Sequence, residues 1–550
     1  MTELNAKDFV AAYQKHGSIK AVGRALGISW SKAHKSYLKA RKAGLILPIR
    51  VGRKSREDLK TPLAMPDFTV QEPVIGMPLP VPPSGEVKRY LFTCAQNNTP
   101  VHAEFWRNLL AYATHVRAEI HVSRFAYIKS GLGARGDKAE MWETISPKNL
   151  DWAPEIQAHL SDKQVEVAPG LTWCGEMNIL PTAVRPLSGL DVYTGRTSGI
   201  FPHPKIAMES IASLDYGRAK FNYTTGACTV HNYIQRKAGL KAQFHHSIGA
   251  LFVEVSKDGW WCRQIHANDK DGDFYDLDCH VSEGKVTPDQ NVLAVTWGDL
   301  HIIERDAELW PVMDAMANHL KPTYQFFHDV ISFRGQSHHN RNRPHQKFKM
   351  HCAGESSVTA EICQAKAILL PMQKWAEVSV IVDSNHHHHI GRWLEEVNGM
   401  NDPGNVQIWL DMNKAAIEEI YRGYQPLYLK LAFRLVDPSD ILWKLFCWLG
   451  DGEGFLIGPP DHKIECGMHG DYGPNGSRGS ANNLAKLGHR SNVGHSHTAR
   501  IVDGVYQAGT CQKIPADWAH GPSAWSHSHI VTYQNGRRAI VTMWKGKWRA

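Results

Sequence analysis

The sequence has no uninterrupted apolar run approaching the roughly twenty residues a bilayer-spanning helix needs, which excludes a helical membrane span. None of its ten cysteines stand at C-x-x-C spacing, so reduced, mostly buried thiols are expected in place of a thiolate zinc site or a disulfide framework. The opening residues, Met1-Thr2-Glu3-Leu4-Asn5-Ala6-Lys7, lack the apolar core of a signal peptide, and the expected compartment is the cytoplasm. Glycine and proline, 45 and 29 among 550 residues, are near average usage, which excludes a fibrous or low-complexity chain. What is present is globular composition, 43% hydrophobic and 21% charged, with 18 Trp, 17 Tyr and 17 Phe to fill cores. Its length implies about three to five domains.

The net charge of +8 is unevenly placed. Residues 1–60 hold fourteen Lys/Arg against four Asp/Glu, so the remaining 490 residues sum to −2. That is the pattern of a nucleic-acid-binding module joined to a near-neutral body. Within it, 8–13 reads as a helix, Gly17-Ser18 stops it and caps a second over 19–26, and Gly27-Ile28-Ser29 turns into a third over 30–43. The spacing resembles a helix-turn-helix. Lys32, Lys35, Lys39, Arg41 and Lys42 on the third helix would neutralise DNA phosphates, with Ala33, Tyr37 and Leu38 available to face inward. Trp30, Ser31 and His34 are poor readers of base edges, so binding dominated by the DNA backbone is expected.

Residues 61–86 carry seven prolines and little charge, a stiff extended spacer. Residues 87–289 read as an α/β and then β-rich middle domain of unassigned role, and 290–550 as a second α/β domain. Gly131-Leu132-Gly133-Ala134-Arg135-Gly136 matches G-x-G-x-x-G, but no apolar helix follows it, which argues against a dinucleotide site. The acidic run 269–273 has its glycine misplaced for a calcium hand and reads as an exposed turn.

Five polar clusters lie in the C-terminal part, each ending a strand-like run: Asp299-Leu300-His301, His328-Asp329, Asn385-His386, His469-Gly470-Asp471 and Gly494-His495-Ser496-His497. Helical patterns at 308–319, 358–375 and 405–421 fill the gaps, so these polar residues gather on loops at one edge of an α/β layer, where ligand sites form. Carboxylate, amide and imidazole donors without thiolate suit manganese, iron or zinc. A bridging carboxylate can hold two such ions about 3.5–4 Å apart to activate water and clamp a phosphoryl group.

In order and placement, this series resembles the calcineurin-like metallophosphoesterase superfamily, with its D-x-H, G-D-x-x-D/E, G-N-H-D/E, H and G-H-x-H pattern, over roughly residues 290–515. The resemblance implies an αββα sandwich fold. It implies that Asp299, His301, Asp329 and His497 hold one metal and that Asp329, as the bridge, with Asn385, His469 and His495 holds a second. His386 would then assist the leaving oxygen, so His386 and Asp329 are the catalytic pair. Two divalent ions are implied, manganese first, with iron, magnesium or zinc as alternatives. Three positions depart from the pattern: His328 stands for the glycine before Asp329, Ser332 for the acid three residues after it, and His387 for the carboxylate after His386.

Two features favour DNA over other phosphate esters. One is the basic N-terminal module. The other is the acid-free loop 337–349, whose Arg341, Arg343 and Lys347 could grip backbone phosphates, together with Arg478 in the turn after His469. The whole is similar to the repair-nuclease branch of the superfamily, with a DNA-binding head like that of tailed-phage proteins that degrade or transfer DNA. A metal-dependent DNase is therefore expected, acting in the host cytoplasm if phage-encoded, and homo-oligomeric by analogy. A nucleotide or protein phosphatase, and a DNA-binding regulator with a degenerate body, are the alternatives.

Overall fold

The computed structural model describes residues 6–16, 19–42, 75–127, 150–214, 218–437, 439 and 441–550. The Gly17-Ser18 cap and the G-x-G-x-x-G run lie outside the described residues. The chain comprises two compact units, Met1–Glu72 and Pro73–Ala550.

The first unit holds three helices, Ala6–His16, Ile19–Ala25 and Trp30–Lys42, closed around Phe9, Tyr13, Val22, Ala33 and Ala40. Gly27 turns with φ +63°, and the Ser29 hydroxyl accepts the Lys32 N–H at 3.4 Å to start the third helix. On that helix Ala33, Tyr37 and Ala40 fall four and three residues apart and share the inward face. Leu38 lies off that stripe and is 48% exposed, contrary to its expected inward position. Lys32, Lys35 and Lys39 are exposed.

The second unit is mixed α/β. A six-stranded sheet runs Phe446–Trp448, Val378–Ile381, Tyr324–Phe327, Ala294–Thr296, Ser528–Thr532, Arg538–Thr542. Its first four strands are parallel, and the last two are antiparallel additions. Alternation along these strands divides the core. Val295, Phe327 and Ile381 face a helical layer that includes Leu309–Leu320, Val358–Met372 and Tyr428–Val436. Ala294, Phe326, Val380 and Val382 face Ile457 and Ile464 of a second, ten-stranded sheet, with Cys466 just beyond it. The result is helices on one sheet and that sheet on another.

The ten-stranded sheet joins chain segments far apart in sequence. Ile464–Glu465, Arg490–Val493 and Val505–Gln507 lie at one side, Arg500–Val502 pairs antiparallel with Met208–Ile211, and the sheet ends at Gln164–Ala168. The position 289/290, expected to separate two domains, thus falls inside one compact unit whose sheet draws strands from both sides of it. A four-stranded sheet, built on Lys88–Gln96 with Gly249–Ser256, packs Phe92, Leu251 and Val253 into a further core with Trp173, Ile501 and Tyr506. Residues 75–79, within the proline-rich stretch, are laid along the sheet edge: the N–H groups of Gly76 and Leu79 donate to the carbonyls of Gln164 and Glu166.

All ten cysteines are free thiols and six of them are buried. No helix among the described residues is long and apolar enough to cross a membrane.

A candidate metal centre

Every strand expected to deliver a polar cluster does so at its C-terminal end. Asp299 and His301 follow Ala294–Thr296, Asp329 follows Tyr324–Phe327, and Asn385 and His386 follow Val378–Ile381, all from the six-stranded sheet. His469 follows Ile464–Glu465, and His495 and His497 follow Arg490–Val493, from the ten-stranded sheet. Because those strands run parallel within each sheet, their carboxyl ends open on one edge.

The side chains converge. His301 Nε2 lies 3.0 Å from His497 Nε2 and 3.7 Å from Asp329 Oδ2, and His497 Nε2 is 3.2 Å from Asp299 Oδ2. Ligand atoms of Asp299, His301, Asp329 and His497 all fall within 4.8 Å of one another, and all four residues are buried. A second convergence shares Asp329: its Oδ2 is 3.2 Å from His469 Nε2, which is 2.9 Å from Asn385 Oδ1, which in turn is 3.1 Å from His495 Nδ1. His386 stands beside both, its Nε2 4.0 Å from Asp329 Oδ2 and its side chain 24% exposed.

The chemistry of this donor set fits a cation. Two carboxylates, Asp299 and Asp329, are at most 1% exposed, and no Lys or Arg among the described residues lies within 4.0 Å of either. Among the described residues no backbone N–H, hydroxyl, amide, Lys or Arg donates to either oxygen of Asp299 or to Oδ2 of Asp329; only imidazoles approach them. Buried anions faced only by imidazoles lack a permanent counter-charge, and a divalent ion among them would supply it. The histidines respond to the same field. Burial pulls His469 down, but Asp329 and Asp299 outweigh it and push it up to about 9. His301, where burial and the neighbouring His386 dominate, sits well below the ordinary imidazole range. Burial tends to raise Asp329, yet His469 and His386 hold it well below the carboxylate range.

Backbone conformation is unusual where these ligands sit. His301, Asp329, His495 and His497 have φ of 39°, 42°, 73° and 60°, the left-handed region that non-glycine residues seldom adopt. Gly494 is required beside them, since a Cβ there would stand 2.1 Å from Asp299 Oδ1.

The three departures from the expected pattern each have a structural role. His328 is fully buried and places Nδ1 3.3 Å from His469 Nδ1, and burial pulls it down to about 3. Ser332 receives His301 Nδ1 at 2.8 Å and donates to Glu304 Oε2 at 2.8 Å, so Nδ1 carries the proton and the Nε2 lone pair faces the cluster. Behind this relay the Glu361 carboxyl accepts the Phe333 N–H at 3.0 Å, and burial with Glu304 nearby pushes it up to about 8. His387 accepts the Val330 N–H at 2.9 Å and pins the loop that follows Asp329. Ser384 does likewise for the Asp329 N–H at 3.0 Å. Glu304 and Ser384 left no signal in the sequence, because nothing in their spacing marks a hydrogen bond made across the fold.

The basic segment 337–349 is only partly a loop. Pro344, at the first turn, opens a helix over Pro344–Cys352. Arg341 is ion-paired with Glu396, whereas Arg343 and Lys347 are exposed, as is Arg478 beside the turn Pro474–Gly476. Arg41 and Lys42 fall on the third helix of the N-terminal unit, but their side chains lie outside the described residues.

Protein A1 of Escherichia phage T5 is 34% identical to this chain over 477 residues, 84% of the chain and 83% of that protein. The chain belongs to the protein A1 family. No protein-family model and no solved structure matches it. The protein A1 alignment is long enough that it must include most of the second unit, the part that holds the candidate metal centre.

Proposed function

We propose that this chain is a phage-encoded, divalent-metal-dependent phosphodiesterase of the calcineurin-like metallophosphoesterase type that hydrolyses the DNA backbone. The observation that carries the reading is the pair of overlapping donor sets sharing Asp329, buried and, among the described residues, without any Lys or Arg to balance their carboxylates. The helix–sheet–sheet layering, with the donors at the strand ends, is compatible with the αββα sandwich of that superfamily.

In this reading Asp299, His301, Asp329 and His497 hold one ion and Asp329, Asn385, His469 and His495 the other, with manganese the first expectation. Bound there, two divalent ions supply an activated water and neutralise charge developing on the phosphoryl group. The protein's own residues do the rest. Ser332 and Glu304 fix the tautomer of His301. His386, partly open to solvent and not needed as a ligand, delivers a proton to the departing sugar oxygen. Lys32, Lys35 and Lys39 of the N-terminal unit, with Arg343, Lys347 and Arg478, are exposed cations that would meet backbone phosphates.

The test is incubation of linear and circular DNA with the purified full chain in manganese, magnesium or zinc, beside Asp329→Ala and His386→Ala. Cleavage lost in Asp329→Ala and slowed about 10²–10⁴-fold in His386→Ala is expected. An unchanged rate in either removes that residue from the mechanism. Hydrolysis of small phosphate esters without DNA cleavage would point to a phosphatase, and DNA binding without hydrolysis under any metal to a regulator.

A further inference from the structure

A second charged cavity, of 530 Å³, opens at the opposite end of strands of the ten-stranded sheet. It is lined where Ile464–Glu465 and Arg490–Val493 begin, whereas the candidate metal centre lies where they end. The two are therefore separate sites, and the chemistry of this cavity is independent of the proposed nuclease reading.

The cavity's positive charge is only partly balanced. Lys205 is paired with Asp503. Arg537 is paired with one carboxylate, Asp269 at 3.4 Å, whose side chain is 63% exposed, and its Nη1 contacts His266 Nε2 at 2.9 Å. Arg490 donates to the Asp461 carbonyl, at 3.1 Å. Arg538 is buried, lies over the Tyr506 ring at 4.1 Å and gives its hydrogens to Ser491 O, Asn492 Oδ1 and Gly504 O. No carboxylate among the described residues lies within 4.0 Å of Arg490 or Arg538. A guanidinium cannot shed its proton, so this charge persists at any physiological pH and is normally met by an anion. The surroundings register it: burial, then Arg537, Arg538 and Arg490, hold His266 well below its usual range, and burial with Arg490 and Arg537 lowers His462. His462 Nδ1 is enclosed, with no hydrogen-bond partner among the described residues. At the rim Phe244 is 83% exposed, a flat apolar ring beside a cationic pocket.

We infer that this cavity binds the phosphate of a nucleotide, with Arg490 and Arg537 on the phosphate and Phe244 against the base. Planar guanidinium groups match phosphate oxygens in pairs, and an aromatic face accepts any base by stacking. A volume of 530 Å³ accommodates one nucleotide unit and not a folded partner.

The full chain, in metal-free buffer, is titrated calorimetrically with adenosine monophosphate, inorganic phosphate and a 5′-phosphorylated oligodeoxynucleotide. The nucleotide is expected to bind at least tenfold more tightly than inorganic phosphate, and the double variant Arg490→Gln/Arg537→Gln to lose at least tenfold for both. Phe244→Ala should reduce the preference for nucleotide over phosphate while leaving phosphate binding intact; its exposed ring supports no core, so this variant remains informative if the double variant fails to fold. Oligonucleotide binding abolished by the same substitutions identifies a strand terminus as the source, and binding confined to the mononucleotide identifies a free nucleotide. Absence of nucleotide binding at millimolar concentration, or binding unchanged in a folded double variant and in Phe244→Ala, overturns the assignment.

Discussion

Gly494→Ala is the sharpest probe of the metal centre, because it alters no ligand and adds one methyl group. That methyl would sit 2.1 Å from Asp299 Oδ1, where carbon and oxygen ordinarily approach to about 3.3 Å. Asp299 or the 494–497 turn must give way by roughly 1.2 Å, against a tolerance of about 0.2 Å for a metal–ligand distance. Manganese affinity is therefore expected to fall by about 100-fold or more, at the upper end of what a displaced supporting group costs. At a concentration one hundred times the wild-type Kd, manganese stabilises the wild type by about 2.7 kcal/mol, and a hundredfold weaker variant by only about 0.4 kcal/mol. Calorimetric titration with Mn²⁺ and thermal melts with and without it measure both quantities. Gly404→Ala is the matched control: its methyl would meet only Asp402 Oδ1, at an ordinary 3.6 Å. If Gly494→Ala binds manganese as tightly as the wild type, Asp299 is not a ligand and the reasoning from donor convergence fails.

Three further outcomes are expected. Ser332→Ala should weaken metal binding about 10–100-fold through loss of His301 orientation, and Ser332→Thr, which keeps the hydroxyl, should restore most of it; equal affinities in all three would dismiss the relay to Glu304. Replacing Lys32, Lys35 and Lys39 together by Ala should weaken DNA binding at every sequence and reduce the slope of log K against log salt by up to about 2.7, read by fluorescence anisotropy; an unchanged slope would take this helix off the phosphates. Glu361 has a folded pKa pushed up to about 8, so its stabilising proton is fully present below about pH 4.3 and is lost as pH rises through 8. Glu361→Gln should therefore gain in thermal stability on the wild type between pH 5 and 8, and parallel profiles would show that Glu361 titrates normally.

Local features of the fold are legible in the sequence and long-range ones are not. Tyr324–Phe327 and Val378–Ile381 announce themselves as short apolar runs ended by polar clusters, and the helices 309–320 and 406–421 as amphipathic repeats. The pairing of Arg500–Val502 with Met208–Ile211 leaves no trace, because register between strands almost three hundred residues apart is set by packing and not by neighbouring residues. The metal centre shows the same division. Its charged and imidazole donors stand out by type and order, whereas Glu304 and Ser384, which help to orient them, carry ordinary residue identities whose work is visible only once the chain is folded. Segment 337–349 reads as loop throughout because its charge obscures the helix that Pro344 begins.

The donors do not all belong to one layer: Asp299, His301, Asp329 and Asn385 ride on the six-stranded sheet, and His469, His495 and His497 on the ten-stranded one. An ion gripped by both would act as a rivet through the lips of the molecule, closing at this edge what Ala294, Phe326 and Val380 close in the interior. Stripping it with a chelator would then unfasten the lips first, leaving the hydrophobic seam behind them shut.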